Sequence, residues 1–270
     1  MSKNGQSLKE TLRSAFATGV ILIALALAFL IYYTVLGNPV NFEGGNPDGH
    51  PIPGNYLAMV YKGGMIVPLL ITIIIVLLTF TIERALTLRK AQGTGPANVF
   101  VTNLQGFLKN NQIDQAIVSC DKQKGSIGNV MKAGLIKYKE LQSDTRLDKD
   151  QKLVSLQKEF EEATALELPM LSRNLVMLST IASISVLIGL IGTVLGMIRA
   201  FAALAQAGAP DALALATGIS EALINTAFGI TGSTLAIIFY NYFSTKIDGM
   251  TYKIDEAGFS LTQTFAAQAK

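Results

Sequence analysis

Four stretches of this chain carry no charged residue for twenty residues or more: Ala15–Leu36, Gly63–Ile82, Asn174–Ile198 and Ala222–Thr245, of 22, 20, 25 and 24 residues. An α-helix needs about 20 apolar residues to cross the hydrocarbon of a bilayer. Inside that hydrocarbon every backbone N–H and C=O must find its partner within the protein, which makes helix the solution for an isolated apolar run. Only 15% of the residues are charged, against about 25% in a soluble protein, and they crowd between the four windows. The pattern predicts an all-α membrane protein with four transmembrane helices. The first window could be read as a signal peptide, because Lys3, Lys9 and Arg13 precede it. It exceeds the roughly 7–15 residues of a signal h-region and is followed by no A-x-A site, so it reads as a retained anchor.

Orientation follows from the basic residues. Three precede the first helix, one (Lys62) separates the first and second, thirteen fall between Arg89 and Arg173, and three follow Ser244. Basic residues collect on the cytoplasmic side of short flanks. Both termini and the segment 89–173 are therefore expected in the cytoplasm. Residues 37–62 and the short turn Ala207–Asp211 are expected outside.

The same inventory narrows the function. A net charge of +3 is too small to suggest nucleic-acid binding. Cys120 is the only cysteine and His50 the only histidine. No intrachain disulfide, His-based metal site or catalytic triad can be assembled from them, so an enzyme is not expected, nor any cofactor. His50 reads as a solvated residue of the Gly/Pro-rich loop "EGGNPDGHPIPGN".

The cytoplasmic segment reads as helix. Phe100, Leu104, Phe107 and Leu108, then Ile113, Ala116, Ile117 and Cys120, recur at helical spacing, with Asn110-Asn111 turning the chain between them. Leu153, Leu156, Phe160 and Ala163 mark a later amphipathic run from Asp150. It is expected to continue through Pro169 into the third transmembrane helix as one long helix, kinked at the proline.

The third and fourth windows carry polar and small residues at regular steps. Ser185, Gly189 and Thr193 are four apart, with Gly192 and Gly196 beside them. Small residues let membrane helices approach closely, so the glycines read first as packing positions. Thr193 is ambiguous, because a membrane threonine can satisfy its hydroxyl on its own helix. In the fourth helix Thr217, Glu221, Asn225, Gly229 and Ser233 form a stripe at four-residue steps, with Thr226 next to it. A carboxylate within a span costs about 2.5–3.5 kcal/mol on insertion scales. Glu221 therefore faces a protein interior or cavity, or snorkels to the outer headgroups. Arg199 is either its partner or an interface anchor, and the anchor is the preferred reading. Two polar-striped helices suggest walls of a pathway. A closed ring of copies could enclose it, with Thr193 and Thr226 on the lumen.

"LIGLIGTVLGMIRAF", followed by "GISEALINTAFGI" and "FYNYF", closely resembles the MotA/TolQ/ExbB proton-channel family. "TIERALTL" at 81–88 resembles that family's Glu-Arg pair at the cytoplasmic membrane face, here Glu83 and Arg84. The likeness runs from about residue 63 to 250 and is nearest to the ExbB branch. It implies a ring-shaped homo-oligomer, a pentamer, in the inner membrane of a bacterium, with long helices projecting into the cytoplasm. The ring would surround an ExbD-like single-span dimer, which carries the protonated aspartate, and would energise a TonB-like protein. Thr193 and Thr226 match the family's pore threonines and Glu221 its intramembrane glutamate. The departure is the first helix, which the familiar three-span type lacks. The chain then divides into 1–62 (extra helix and periplasmic loop), 63–250 (channel domain, including 89–173) and 251–270 (cytoplasmic tail). A TolQ-like or stator-type motor subunit is the alternative within the fold, and a non-conducting membrane scaffold the alternative outside it.

Overall fold

The architecture was obtained as a computed structural model, which describes residues 18–47, 49–206 and 212–268. Lys3, Lys9 and Arg13 and the turn Ala207–Asp211 lie outside the described residues, so the features expected there are not addressed by the structure. Every regular element among the described residues is helical, and Phe42 and Pro51 form an isolated antiparallel bridge. Four helices are long and apolar enough to span a membrane, which makes this a membrane protein. The chain divides into two units, Met1–Ile82 with Val176–Tyr240, and Glu83–Leu175 with Asn241–Lys270.

The first unit holds the apolar helices. Helix α1, Thr18–Leu36, ends in a π turn over Tyr32–Leu36, closed by Gly37 N–H donating to the Tyr32 carbonyl at 2.8 Å. The chain then makes two short 3-10 turns, Pro39–Asn41 and Glu43–Gly45, and passes the exposed His50. The six-residue helix α2, Tyr56–Tyr61, is capped by Asn55, whose side chain accepts from the Leu57 and Ala58 amides. A two-glycine corner leads into α3, Ile66–Ala91. Pro68 sits in the first turn of α3, where a missing N–H is harmless. Helix α8, Leu175–Gln206, and helix α9, Ala212–Gln268, supply the remaining spans; α3, α8 and α9 each continue past the boundary of this unit.

The second unit is a helical assembly with its own core. It contains α4 (Ala97–Lys109), α5 (Ile113–Gln123), α6 (Gly125–Ser143), α7 (Lys149–Ser172) and the C-terminal stretch of α9. Helix α4 stops where expected: Asn111 takes a positive φ of 54°, and the Asn110 and Gln112 amides return to the carbonyls of Gly106 and Phe107. Asparagine tolerates that left-handed conformation better than most residues. Helix α7 begins with a reciprocal capping box between Asp148 and Gln151. The core joins Phe100, Leu104 and Leu108 to Met131, Leu135 and Tyr138, to Leu156 and Phe160, and to Ile254, Leu261 and Phe265.

The expectation of one unbroken helix running through Pro169 into the third span is corrected. Pro169 lies inside α7, and the interruption falls after it, at Arg173–Asn174, where Asn174 takes a φ of 60°. Proline's fixed φ is compatible with helix, at the cost of one hydrogen bond and crowding against the carbonyl four residues back. A left-handed residue departs from helical φ altogether and ends the regular hydrogen-bond pattern. Helix α6, 19 residues long, was not anticipated from the sequence.

Candidate functional site

Helices α8 and α9 run antiparallel and are joined by a ladder of side-chain groups reaching across to the other helix. At one end Ser233 Oγ donates to the Ala182 carbonyl at 2.5 Å, and Ser185 Oγ donates to the Gly229 carbonyl at 2.9 Å. In the middle the hydroxyls of Thr193 and Thr226 are hydrogen-bonded to each other. Each also reaches the Ala222 carbonyl, at 3.3 Å and 3.1 Å, and Thr193 has its own helix's Gly189 carbonyl at 3.2 Å. Two hydroxyls thus have two protons to place, with two carbonyl oxygens, those of Ala222 and Gly189, able to accept them from outside the pair. One hydroxyl donates to a carbonyl while the other donates to its neighbour, and the order can reverse. Both threonines are half-buried in the single chain.

The glycines named above sit in this same seam. A Cβ on Gly189 would stand 2.9 Å from the Asn225 carbonyl and 3.0 Å from Gly229 Cα. One on Gly229 would meet Gly189 Cα at 2.8 Å, and one on Gly196 would lie 2.9 Å from the Gly218 carbonyl. Gly192 leaves room for the Asn225 side chain. The close approach these glycines permit lies between two helices of one chain.

At the far end of the ladder Glu221 is a buried carboxylate, its side chain 7% exposed, and Arg199 Nη1 donates to its Oε1 at 2.5 Å. The arginine is therefore the partner of Glu221, and the preference for an interface anchor is corrected. Its own side chain is 54% exposed, so the buried carboxylate is paired with an arginine that remains accessible. One turn further along α9, Asn225 is fully buried and donates to the Gly63 carbonyl at 2.9 Å, while its Oδ1 has no hydrogen-bond partner. Four-residue spacing placed Glu221 and Asn225 on one face. Nothing in the local sequence marked Gly63 as their neighbour.

A separate polar cluster surrounds Glu83 and Arg84. Arg84 is 1% exposed and grips Glu83 with two parallel hydrogen bonds, Nε to Oε2 at 2.7 Å and Nη2 to Oε1 at 2.6 Å. The third guanidinium nitrogen donates to the Leu171 carbonyl at 3.3 Å, near the end of α7. Thr87 and Asn174 also donate to Glu83, at 2.9 Å and 3.1 Å. The pair is thus tied to the last turn of α7 and to the left-handed residue that follows it. The spacing in "TIERAL" gave no hint of Asn174.

No group of three or more metal-ligating side chains occurs among the described residues. The seam of α8 and α9 offers a line of hydroxyls and carbonyls through apolar helices, ending at the Glu221–Arg199 ion pair.

Residues 123–256 match the MotA/TolQ/ExbB proton channel family. The Tol-Pal system protein TolQ of Pseudomonas aeruginosa is 32% identical over 120 residues, which is 44% of this chain and 52% of that protein. An ExbB-like biopolymer transport protein of Synechocystis sp. is 40% identical over 85 residues, 31% of this chain and 40% of that protein. The biopolymer transport protein ExbB of Salmonella typhimurium is 40% identical over 70 residues, 26% of this chain and 29% of that protein. The chain thus spans between 29% and 52% of the length of these curated relatives.

Proposed function

We propose, from the premise that this chain belongs to the MotA/TolQ/ExbB proton channel family, that it is an inner-membrane channel subunit coupling the proton motive force to transport across the outer membrane. The observation that carries the reading is the Thr193–Thr226 hydroxyl pair in the seam of α8 and α9. Hydroxyls that exchange donor and acceptor roles give a proton a low-barrier route where apolar side chains give none. Part of each threonine is left uncovered by its own chain, and a ring of copies, a pentamer by family resemblance, would turn that side to a lumen. In this reading Glu221 tunes the field at the outer mouth and the N-terminus, the 89–173 segment and the tail lie in the cytoplasm. An ExbD-like dimer occupies the ring and a TonB-like protein receives the work.

The TolQ relative supports a second assignment within the family, a subunit serving envelope integrity. Co-purification separates the two. A single-span partner with a membrane aspartate found together with a TonB-like protein selects the first, and a Tol-Pal set selects the second. Proton flux into proteoliposomes, with and without the single-span partner, tests the channel itself. Thr193→Val keeps the shape and removes the hydroxyl, so the complex should form and flux should fall. Wild-type flux in that variant would refute the role given to the threonine pair. Absence of flux in the wild-type complex would favour a scaffold.

A further inference from the structure

The first helix is the feature that the family resemblance leaves without a role, and the structure shows what it touches. Tyr32, in the π turn that closes α1, is buried to 5% exposure. Its ring stacks on Tyr61 with centroids 4.6 Å apart, and its hydroxyl donates to the Tyr61 carbonyl at 3.0 Å. Phe42 meets the Tyr61 ring edge-on at 5.5 Å, and a Cβ at Gly37 would lie 2.6 Å from Tyr61 Cε2. Tyr61 is thus held on several sides by the end of α1 and the turn after it.

The carbonyl that Tyr32 grips also accepts the Gly64 amide, at 3.2 Å. Gly64 has a φ of +74°, a conformation that disfavours any other residue. A Cβ there would overlap Glu221 Oε1 and stand 3.1 Å from Arg199 Nη1. The bare Cα of Gly64 therefore packs directly against the ion pair and covers part of the carboxylate. Its neighbour Gly63 accepts from Asn225, one turn from Glu221. The corner between α2 and α3 is fastened to α1 on one side and to the Glu221 site on the other.

We infer that α1 is a buttress for the Glu221–Arg199 pair, and that Tyr32 is its positioning residue, acting through Tyr61 and the Gly63–Gly64 corner. The inference rests on the channel reading only for its functional consequence, since the mechanical coupling is a property of the folded chain. Removing the Tyr32 hydroxyl removes one of the hydrogen bonds that hold the Tyr61 carbonyl. The corner then loosens, the cover over Glu221 opens, and the carboxylate gains water.

The test uses the full-length protein in detergent and in proteoliposomes with its single-span partner. Tyr32→Phe keeps the stacked ring and deletes the hydroxyl, and Tyr56→Phe, at an exposed tyrosine of α2, is the control. Hydrogen exchange in residues 62–67 and 219–226 should accelerate together in Tyr32→Phe, by about fivefold for one lost hydrogen bond, with 97–143 unchanged. The infrared carboxylate bands assigned to Glu221, by their disappearance in Glu221→Gln, should shift in Tyr32→Phe and stay in place in Tyr56→Phe. Faster exchange at 62–67 with no change at 219–226 and unmoved Glu221 bands would overturn the coupling, as would no change anywhere. Flux should fall in Tyr32→Phe, and Glu221→Gln should remove most of that difference in the double variant. If wild type conducts no protons, the channel reading fails while exchange and infrared bands still decide the buttress. Tyr32→Leu, which deletes ring and hydroxyl, should enlarge each effect, and its failure to fold would leave Tyr32→Phe decisive.

Discussion

Two glycines of the same helix should respond with opposite sign to the same substitution. In α9, Gly229 is pressed against backbone of α8, with its missing Cβ 2.8 Å from Gly189 Cα and 2.9 Å from the Ser185 carbonyl. Gly249 has nothing within 4 Å of that position. Replacing a helical glycine by alanine favours the helix by about 1 kcal/mol. At Gly249 no contact opposes that gain, and Gly249→Ala should stabilise by up to ~1 kcal/mol. At Gly229 the obstructing atoms are backbone and cannot rotate away, so the helices must separate. Overpacking of this kind costs about 1–3 kcal/mol. Separation also stretches the Ser185 hydroxyl bond to the Gly229 carbonyl, and membrane hydrogen bonds contribute about 0.6 and at most about 1.7 kcal/mol. The sum exceeds the propensity gain, and Gly229→Ala should destabilise by about 1–3 kcal/mol. Thermal unfolding of both variants in one detergent, followed by circular dichroism, reads the two signs side by side. A Gly229→Ala protein as stable as wild type would show that α8 and α9 do not meet through bare backbone there.

Three further outcomes are expected. Lys124 has φ 57° and ψ −172°, a region essentially reserved for glycine and costing about 1–3 kcal/mol; Lys124→Gly relieves it against an unfolded-state penalty of about 0.4–1 kcal/mol, so the unfolding midpoint should rise, and a fall would refute the strain. Burial pushes the Cys120 thiol up to about 12, while an unfolded thiol ionises near ~8.5. The native state therefore keeps its proton longer, the stability it contributes is complete below ~8.5 and is lost as pH rises toward about 12, and alkylation at pH 8 should require unfolding. Rapid labelling of the native protein would contradict this. Arg84→Lys keeps the charge but cannot make the two-pronged contact with Glu83 or reach the Leu171 carbonyl at once; unfolding should show a loss of about 1.5–3 kcal/mol, and a wild-type midpoint would show the guanidinium geometry to be dispensable.

What the sequence made legible is what the surrounding medium dictates. Hydrocarbon tolerates neither charge nor unpaired backbone, so the four spans announce themselves by composition alone. Asn110-Asn111 was equally readable, because a helix end needs a residue that accepts positive φ. Helix α6 escaped although Ile127, Val130, Met131, Leu135, Tyr138 and Leu141 recur at helical steps. Gly125, Gly128 and Gly134 interrupt that run, and their purpose is tertiary: Gly134 makes room for the Phe160 ring, and a Cβ on Gly128 would lie 2.9 Å from the Cys120 carbonyl. Pro169 misled for the converse reason. It is the most conspicuous local breaker, yet the helix is interrupted five residues later at Asn174, whose positive φ is accompanied by its side chain's bond to Glu83.

Arg199 shows how the same physics yields different answers depending on which partner is considered first. Considered alone, an arginine at the end of an apolar run is inexpensive as an anchor, because its long stem lets the guanidinium reach the headgroups. Considered from Glu221, the balance shifts. That carboxylate is 7% exposed, and an unpaired buried charge costs far more than an arginine gains by snorkelling. Twenty-two residues separate the two in sequence, and the antiparallel course of α8 and α9 brings them together. The buried member of a pair fixes the geometry, and the mobile member follows. The same reasoning extends to the glycines. Gly189, Gly196 and Gly229 are occupied within the chain, so contacts with other copies or with lipid fall to the exposed Leu187, Leu190, Ile191 and Val194 of α8 and to Leu223 and Ile230 of α9. Substituting those leucines and isoleucines should therefore alter assembly while leaving the α8–α9 seam, and the threonine pair within it, in place.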